Sequence, residues 1–276
     1  MKPYLAIIAI DLRLALRLRT VVFFNYLFPM IFFFTFGAVL RAGQSVERAT
    51  QVVTMSVTLG ILGNGLFGAG IRALQEREMN ILRRYKVTPI TPAPLLVASM
   101  ITGWMIFLPY IMLLLTLSHF WYHLPWPQHF ASLVVFISLG LIAFRGIGMV
   151  IASVANTMQE GTILVQLLYF PMLFLSGATF PKESLPGRWL PAISKFIPAT
   201  YLVDGIRDIV LKNKALMGVL PAIGAILLTV VMSLILGMKL FRWEKDEKIR
   251  PAAKLWVLAA LLPFFVLGII EIIGHK

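Results

Sequence analysis

Residues 130–154 read FASLVVFISLGLIAFRGIGMVIASV. As a helix rising 1.5 Å per residue, this stretch exceeds the roughly 30 Å of hydrocarbon in a bilayer. Inside that core every backbone N–H and C=O needs a partner within the chain, so an apolar run of this length reads as a spanning helix, not a buried strand. Working outward, similar runs occupy Val21–Leu40, Val52–Ile71 and Leu95–Leu117 on one side, and Thr162–Phe180, Leu216–Leu240 and Leu255–Ile273 on the other. The pattern predicts an all-α, polytopic membrane protein.

Composition excludes the main alternatives. The chain is 59% hydrophobic and 13% charged, where soluble domains carry about 25% charged residues. Its net charge of +13 does not point to nucleic acid, because the basic residues stand mostly at the ends of apolar runs and there set topology. There is no Cys, which removes disulfides, thiolate metal sites and cysteine nucleophiles. His119, His123, His129 and His275 form no H-E-x-x-H motif, and no G-x-S-x-G elbow occurs. No metal site and no catalytic residue are expected. The N-terminus does not read as a cleavable signal, because Arg13, Arg17 and Arg19 interrupt the run.

Lys and Arg orient the chain. With the N-terminus in the cytoplasm, the inner side receives Arg13, Arg17, Arg72, Arg77, Arg83, Arg84, Lys239, Arg242 and Lys254, while the short outer loops receive only Arg41 and Arg48, and Ser118–His129 none. The segment Pro181–Lys214 is the exception, with Lys182, Arg188, Lys195, Arg207, Lys212 and Lys214 partly offset by Glu183, Asp204 and Asp208. The sign of the bias favours a cytoplasmic N-terminus in a plasma (inner) membrane, bacterial by expectation.

Three segments do not read as plain spans. Residues 1–20 read as an amphipathic helix on the inner surface, with Arg13 and Arg17 on one face and Ile8, Leu12 and Leu16 on another. The other reading of this stretch extends the first span into the cytosol. Gln75–Leu96 (QEREMNILRRYKVTPITPAPLL) opens with Glu76 and Glu78, closes with Arg83, Arg84 and Lys86, and stops at Pro89, Pro92 and Pro94. Acids first and bases last suit a helix dipole, so a short cytoplasmic helix is expected over about 75–86, with Met79 and Leu82 as an apolar pair; a solvated topogenic loop is the alternative. Phe170–Val210 breaks at Ser176-Gly177 and Pro181, then stays apolar through two pieces, about Pro186–Phe196 and Ala199–Lys212, separated by Pro198. Each is too short to span. They read as half-helices at the outer leaflet or as a small external cap.

These residues carry a resemblance. LSGATFPKESLP (175–186) followed by IPATYLVDGIR (197–207) resembles the signature of type-2 ATP-binding-cassette (ABC) transporter permeases of the export class. Glu76–Pro89, with Arg83, Arg84 and Thr88, is similar to that family's coupling helix, and SVANTMQEG (153–161), with Glu160, to its inner loop. The resemblance covers most of 20–240 and implies six core helices, an interfacial helix before them and two re-entrant helices before the sixth. It implies a permease domain over 21–240, working as a dimer with a second copy of itself or a related permease. Separate ATPase subunits would bind ATP and Mg, and this chain no cofactor. Glu76, Glu78, Arg83, Arg84, Thr88, Pro89 and Glu160 would contact the ATPase. Ser176, Gly177, Pro181, Pro198, Tyr201, Asp204 and Arg207 would form the outer gate. The chain departs from the family in a basic linker, 241–254, and a further apolar segment, 255–276, expected to be a peripheral seventh span unless Pro263 turns it into a hairpin.

No G-x-x-x-x-G-K-[ST] loop is present, so any ATP must be bound by a partner. Candidate pathway residues are the polar and aromatic side chains within the runs: Asn25, Asn64, Arg145, Gln166, Tyr169, Met172 and Phe174. Arg145 is the sharpest, since an Arg at the bilayer centre costs about 3 kcal/mol on insertion scales. It has no acid in a neighbouring run and must face other helices, face water, or snorkel past Gly146 and Gly148. Asn64 lies in a Gly-rich stretch (Gly63, Gly65, Gly68, Gly70) that suits close helix packing. Asn25 and Pro29 suggest a local kink. A self-contained secondary transporter driven by an ion gradient is the competing function, but the runs hold almost no acids and no internal repeat.

Overall fold

The structure, a computed structural model, describes residues 2–17, 22–86, 91–182, 189–247, 249 and 251–273. Every regular element among them is helical. In chain order they are α1 (Lys2–Arg17), α2 (Phe28–Val39), α3 (Val46–Glu78), α4 (Ile81–Lys86), α5 (Pro92–Tyr122), α6 (Phe130–Val154), α7 (Met158–Leu175), α8 (Trp189–Ser194), α9 (Pro198–Leu211), α10 (Leu220–Lys239) and α11 (Trp256–Ile273). Among the described residues six helices are long and apolar enough to cross a membrane: α3, α5, α6, α7, α11 and α10 with its preceding turn, Leu216–Lys239. The first apolar run is helical but shorter, with its apolar part at Asn25–Val39.

Two helices are locally widened. A π-helical turn, Phe23–Leu27, leads into α2. Pro29 follows it and has no N–H to return to Asn25, so the hydrogen-bond register shifts there, where a kink is expected from sequence. The second widening, Gly63–Ile71, lies in the middle of α3. It faces α6 at very short range. A Cβ on Gly148 would lie 2.3 Å from the Gly65 carbonyl oxygen, and one on Gly70 would lie 2.8 Å from the Gly148 oxygen. Glycine at these points lets two backbones touch. Gly63 and Gly68 do not share this role: a Cβ at Gly63 meets nothing within 4 Å, and at Gly68 nothing nearer than 3.7 Å.

The expected single helix over 75–86 is corrected. Gln75–Glu78 is the end of α3, and α4 is a separate helix. Between them Asn80 takes φ 56°, a left-handed conformation that Asn tolerates. The Met79 and Asn80 N–H groups donate to the Gln75 and Arg77 carbonyls at 2.9 and 3.0 Å, closing α3. Met79 and Leu82 consequently form no pair: Met79 is exposed and Leu82 buried. The N-terminal α1 packs along α5 and buries Ile7 and Ala15.

The short helices α8 and α9 differ in burial, and Ser194 is the buried residue of α8. α9 buries Ala199, Leu202, Val203, Ile206 and Ile209. Leu202 packs on Gly140 and Phe136 fills the space beside Gly205. Gly140 lies about 15 Å into α6 from its start at Phe130, at 1.5 Å per residue, so α9 reaches deep along its neighbours. α11 is unbroken through Pro263. Just before its start, Lys254 pairs with Glu160. Near its end Lys195 Nζ donates to the Glu271 carbonyl at 3.3 Å, and Phe264 packs on Tyr201 with ring centroids 5.7 Å apart. The helix thus runs from the α3–α4 face to the α8–α9 face.

Candidate functional site

Polar groups collect at three levels along the bundle. The first is the face carrying α4. Arg83 and Arg84 are exposed there, as the sequence reading requires of docking residues, whereas Thr88 and Pro89 lie outside the described residues. Glu76 turns inward: Arg72 Nε donates to its Oε1 at 2.8 Å, and Arg72 Nη2 donates to Asp11 Oδ1 of α1, also at 2.8 Å. Glu78 Oε1 accepts the Met158 N–H at 2.6 Å, binding the end of α3 to the start of α7. Thr157 caps α7, its hydroxyl accepting the Glu160 N–H at 3.1 Å, while Glu160 Oε2 reaches back to accept the Asn156 N–H at 2.8 Å.

Two arginines at this face escaped the sequence reading, where they counted only as topogenic charge. Arg77, 3% exposed, donates to the Ala152 and Ala155 carbonyls at 2.9 and 2.5 Å. Arg242 donates to the Ser153 carbonyl at 3.1 Å, Asn156 Oδ1 at 2.8 Å, the Glu247 carbonyl at 2.5 Å and the Ala155 carbonyl. Together they cover the carbonyl end of α6, the negative end of its dipole. Asn156 adds a bond from the Ile249 N–H at 3.0 Å. Burial holds the Arg242 pKa below its usual value, opposed by the charges of Glu247 and Glu160. Loop 155–157, the ends of α3 and α6, and the linker after α10 therefore form one polar knot.

The second level is the middle of the bundle. Arg145 is 5% exposed and does not snorkel. Its Nη1 donates to the Asn64 carbonyl at 3.1 Å and to Asn64 Oδ1 at 2.5 Å, and its Nη2 to Ser99 Oγ at 3.0 Å. Asn64 Nδ2 in turn donates to Asn25 Oδ1 at 2.5 Å. The two widened turns place Asn25 and Asn64, and Gly103 of α5 leaves the space, since a Cβ there would meet Arg145 Cζ at 2.0 Å. Arg145, Asn64 and Asn25 are thus brought together. Gln166, Tyr169, Met172 and Phe174 are not: Gln166 and Phe174 sit on the exposed face of α7, Met172 is buried, and Tyr169 packs on Phe67 with centroids 5.2 Å apart.

The third level joins α3, α9 and the break after α7. Gly177 has φ 88°, which makes glycine the fitting residue at the turn. Gln51 Nε2 donates to the Gly177 and Ala178 carbonyls at 3.1 and 2.6 Å, while Gln51 Oε1 accepts from Arg207. Lys182 pairs with Asp204, and the Tyr201 hydroxyl donates to the Lys195 carbonyl at 2.7 Å. Ser176 is buried and accepts the Ala178 N–H at 3.2 Å. Pro198 is buried at the first turn of α9, and Pro181 follows the turn. Gln51, an amide one residue before the run Val52–Ile71, is the member that sequence reasoning missed.

Among its described residues the chain is an all-helical bundle with a buried polar centre and six helices long and apolar enough to cross a membrane, the architecture of a polytopic membrane protein. The chain belongs to the ABC-2 type transporter family, whose profile matches residues 4–211. Among similar proteins, the linearmycin resistance permease protein LnrN of Bacillus subtilis is 22% identical over 206 residues, 73% of this chain and 51% of that protein. The probable multidrug ABC transporter permease YbhR of Escherichia coli is 22% identical over 166 residues, 60% of this chain and 44% of that protein. Nodulation protein J of Rhizobium leguminosarum bv. trifolii is 33% identical over 106 residues, 38% of this chain and 40% of that protein. The chain spans about half the length, or less, of these relatives.

Proposed function

We propose that this chain is the membrane-spanning subunit of an ATP-driven exporter, and that it forms its pathway as a dimer and takes its energy from separate ATPase subunits. The observation that carries this reading is the exposed, basic α4, set on a knot that binds four parts of the chain at one face. A force applied to α4 or to loop 155–157 is transmitted to α3, α6, α7 and the linker together, because Glu78, Arg77 and Arg242 bond them. ATP binding then favours one of two permease states through that face, and the α8–α9 end, latched by Gln51 and Arg207, opens or closes in response. The N-terminus and α4 lie on the cytoplasmic side of a plasma membrane in this reading.

The refined docking set is Arg83 and Arg84, with Glu76 assigned to the interior. Reversal of Arg83 or Arg84 to Glu uncouples ATP hydrolysis from transport in the reconstituted complex, measured as transported substrate per ATP. Unchanged transport in both variants removes the docking role. An ATPase that copurifies with the chain supports the reading, and transport driven by an ion gradient without ATP overturns it.

A further inference from the structure

The last helix, α11, is fastened near each of its ends to a different part of the chain. At its root, on the α4 face, the Asn156 amide clasps the backbone of Ile249: its Oδ1 accepts the Ile249 N–H at 3.0 Å and its Nδ2 donates to the Ile249 carbonyl at 3.4 Å. Lys254 adds its pair with Glu160. These bonds tie the segment before α11 to residues 156–160, the loop and first turn of α7. Near its other end Gly268 touches the turn between α8 and α9: a Cβ there would lie 2.7 Å from the Lys195 carbonyl oxygen and 2.9 Å from Phe196 Cδ1. Phe265 packs on Phe196 with ring centroids 6.0 Å apart, beside the contact of Phe264 with Tyr201. Between the two ends Val257, Leu261, Phe264 and Gly268 are buried, at the three- and four-residue spacing of one helical stripe. The helix is a rod of about 27 Å, at 1.5 Å per residue.

We propose that α11 is a strap: clasped at its root to residues 156–160, it holds α8 and α9 against the bundle, and release of the clasp loosens them. The root is the end built to let go. Lys254 and Glu160 are partly exposed, and such a pair is weak and easily exchanged. The far end is apolar and closed, with Phe264 fully buried. The opposite face of α11, with Leu258, Leu262, Ile269 and Ile270, is exposed, so one stripe and two fastenings position the helix. Glu160 is also a residue that the resemblance places against a partner ATPase. Held by Lys254, it can meet such a partner only when the clasp opens. On the exporter reading, on which this one consequence rests, docking at Glu160 reaches α8 and α9 through α11, a route separate from α3 and α6. The strap itself requires neither ATP nor a partner subunit.

The chain has no Cys, so one introduced thiol reports one place. Ser194, at the end of α8, is 1% exposed, and a thiol put there by Ser194→Cys reacts with N-ethylmaleimide only through local opening of α8 and α9. Ser118→Cys, at a buried position of α5, is the reference. The full chain is labelled in dodecyl maltoside micelles without ATP. Lys254→Glu sets two acids against each other at the clasp and is expected to speed labelling at position 194 about fivefold. Lys254→Arg keeps the pair and the wild-type rate, and labelling at position 118 is unchanged in both. Should Ser194→Cys lower the unfolding temperature, Thr200→Cys in the first turn of α9, where the threonine is 2% exposed, takes its place. Equal rates in Lys254→Glu and Lys254→Arg overturn the strap, and so does an equal acceleration at position 118, which means that the whole bundle has loosened. With no ATPase present, this failure leaves the exporter reading standing, and failure of the Arg83 and Arg84 variants leaves the strap standing.

Discussion

Arg145 and Arg242 meet the same difficulty, a guanidinium removed from water, and the protein answers it differently at its centre and at its α4 face. Arg242 uses carbonyls that the end of α6 leaves unpaired in any case, those of Ser153 and Ala155. Its charge therefore does structural service. Arg145 is held by Asn64 and Ser99 in a space cleared by Gly103, and no helix end there needs a cation. An arginine that closes a helix stabilises the fold. An arginine in mid-bundle, surrounded by groups placed to receive it, carries a desolvation cost that those hydrogen bonds offset, and it closes no helix end in return.

The largest expected effect breaks the centre. Gly103→Leu drives its side chain into the Arg145 guanidinium and is expected to cost about 3 kcal/mol or more, seen as a loss of folded protein in thermal unfolding. Gly63→Ala, where an added Cβ meets nothing, is expected to be neutral or to stabilise by up to about 1 kcal/mol.

The direct comparison comes next. Arg242→Met leaves buried carbonyls and Asn156 without their donor and is expected to cost about 2–4 kcal/mol. Arg145→Met removes a buried charge but also leaves Asn64 and Ser99 without their donor, so it is expected to cost less than Arg242→Met, about 1–2 kcal/mol, while transport falls. Equal destabilisation in the two variants would collapse the distinction between them.

Smaller effects follow at the margins. Glu160→Gln loses the partly exposed pair with Lys254 and should change stability by under about 1 kcal/mol, with the unfolding of α11 the sensitive readout. At the opposite face Asp208 is partly buried, which raises its pKa, but bonds to Lys212 and Lys214 at 2.6 and 2.7 Å outweigh this and hold it below 3.8. A depressed carboxylate pKa stabilises above the unfolded value and loses that contribution as pH falls through the folded one. Stability should therefore drop slightly on the acid side of about pH 4, and Asp208→Asn should remove that part of the profile.

Much of this was legible from residue types. Runs too apolar for water, the breaks at Ser176-Gly177 and Pro198, and the exposed basic pair Arg83-Arg84 all follow from local chemistry. The single helix over 75–86 was misread because acid-first, base-last order suits a helix dipole, while the turn at Asn80 depends on one residue's tolerance of positive φ. Gln166 and Phe174 are exposed on α7, a placement that helical spacing alone does not give. Asp11 is an acid within the amphipathic stretch 1–20, with no partner that local spacing reveals. It is the partner of Arg72, some sixty positions away.

The chain's own composition determined that it is a helical membrane protein without its own phosphate-binding loop, because apolar length and motif are properties of contiguous residues. Only the tertiary structure decided that Asn25, Asn64 and Ser99 receive Arg145, that Arg77 and Arg242 close α6, and that Gln51 holds the turn at Gly177. Those bonds join residues from separate helices, and their geometry is set by where two backbones can touch, at Gly65, Gly70 and Gly148, which no single run reveals.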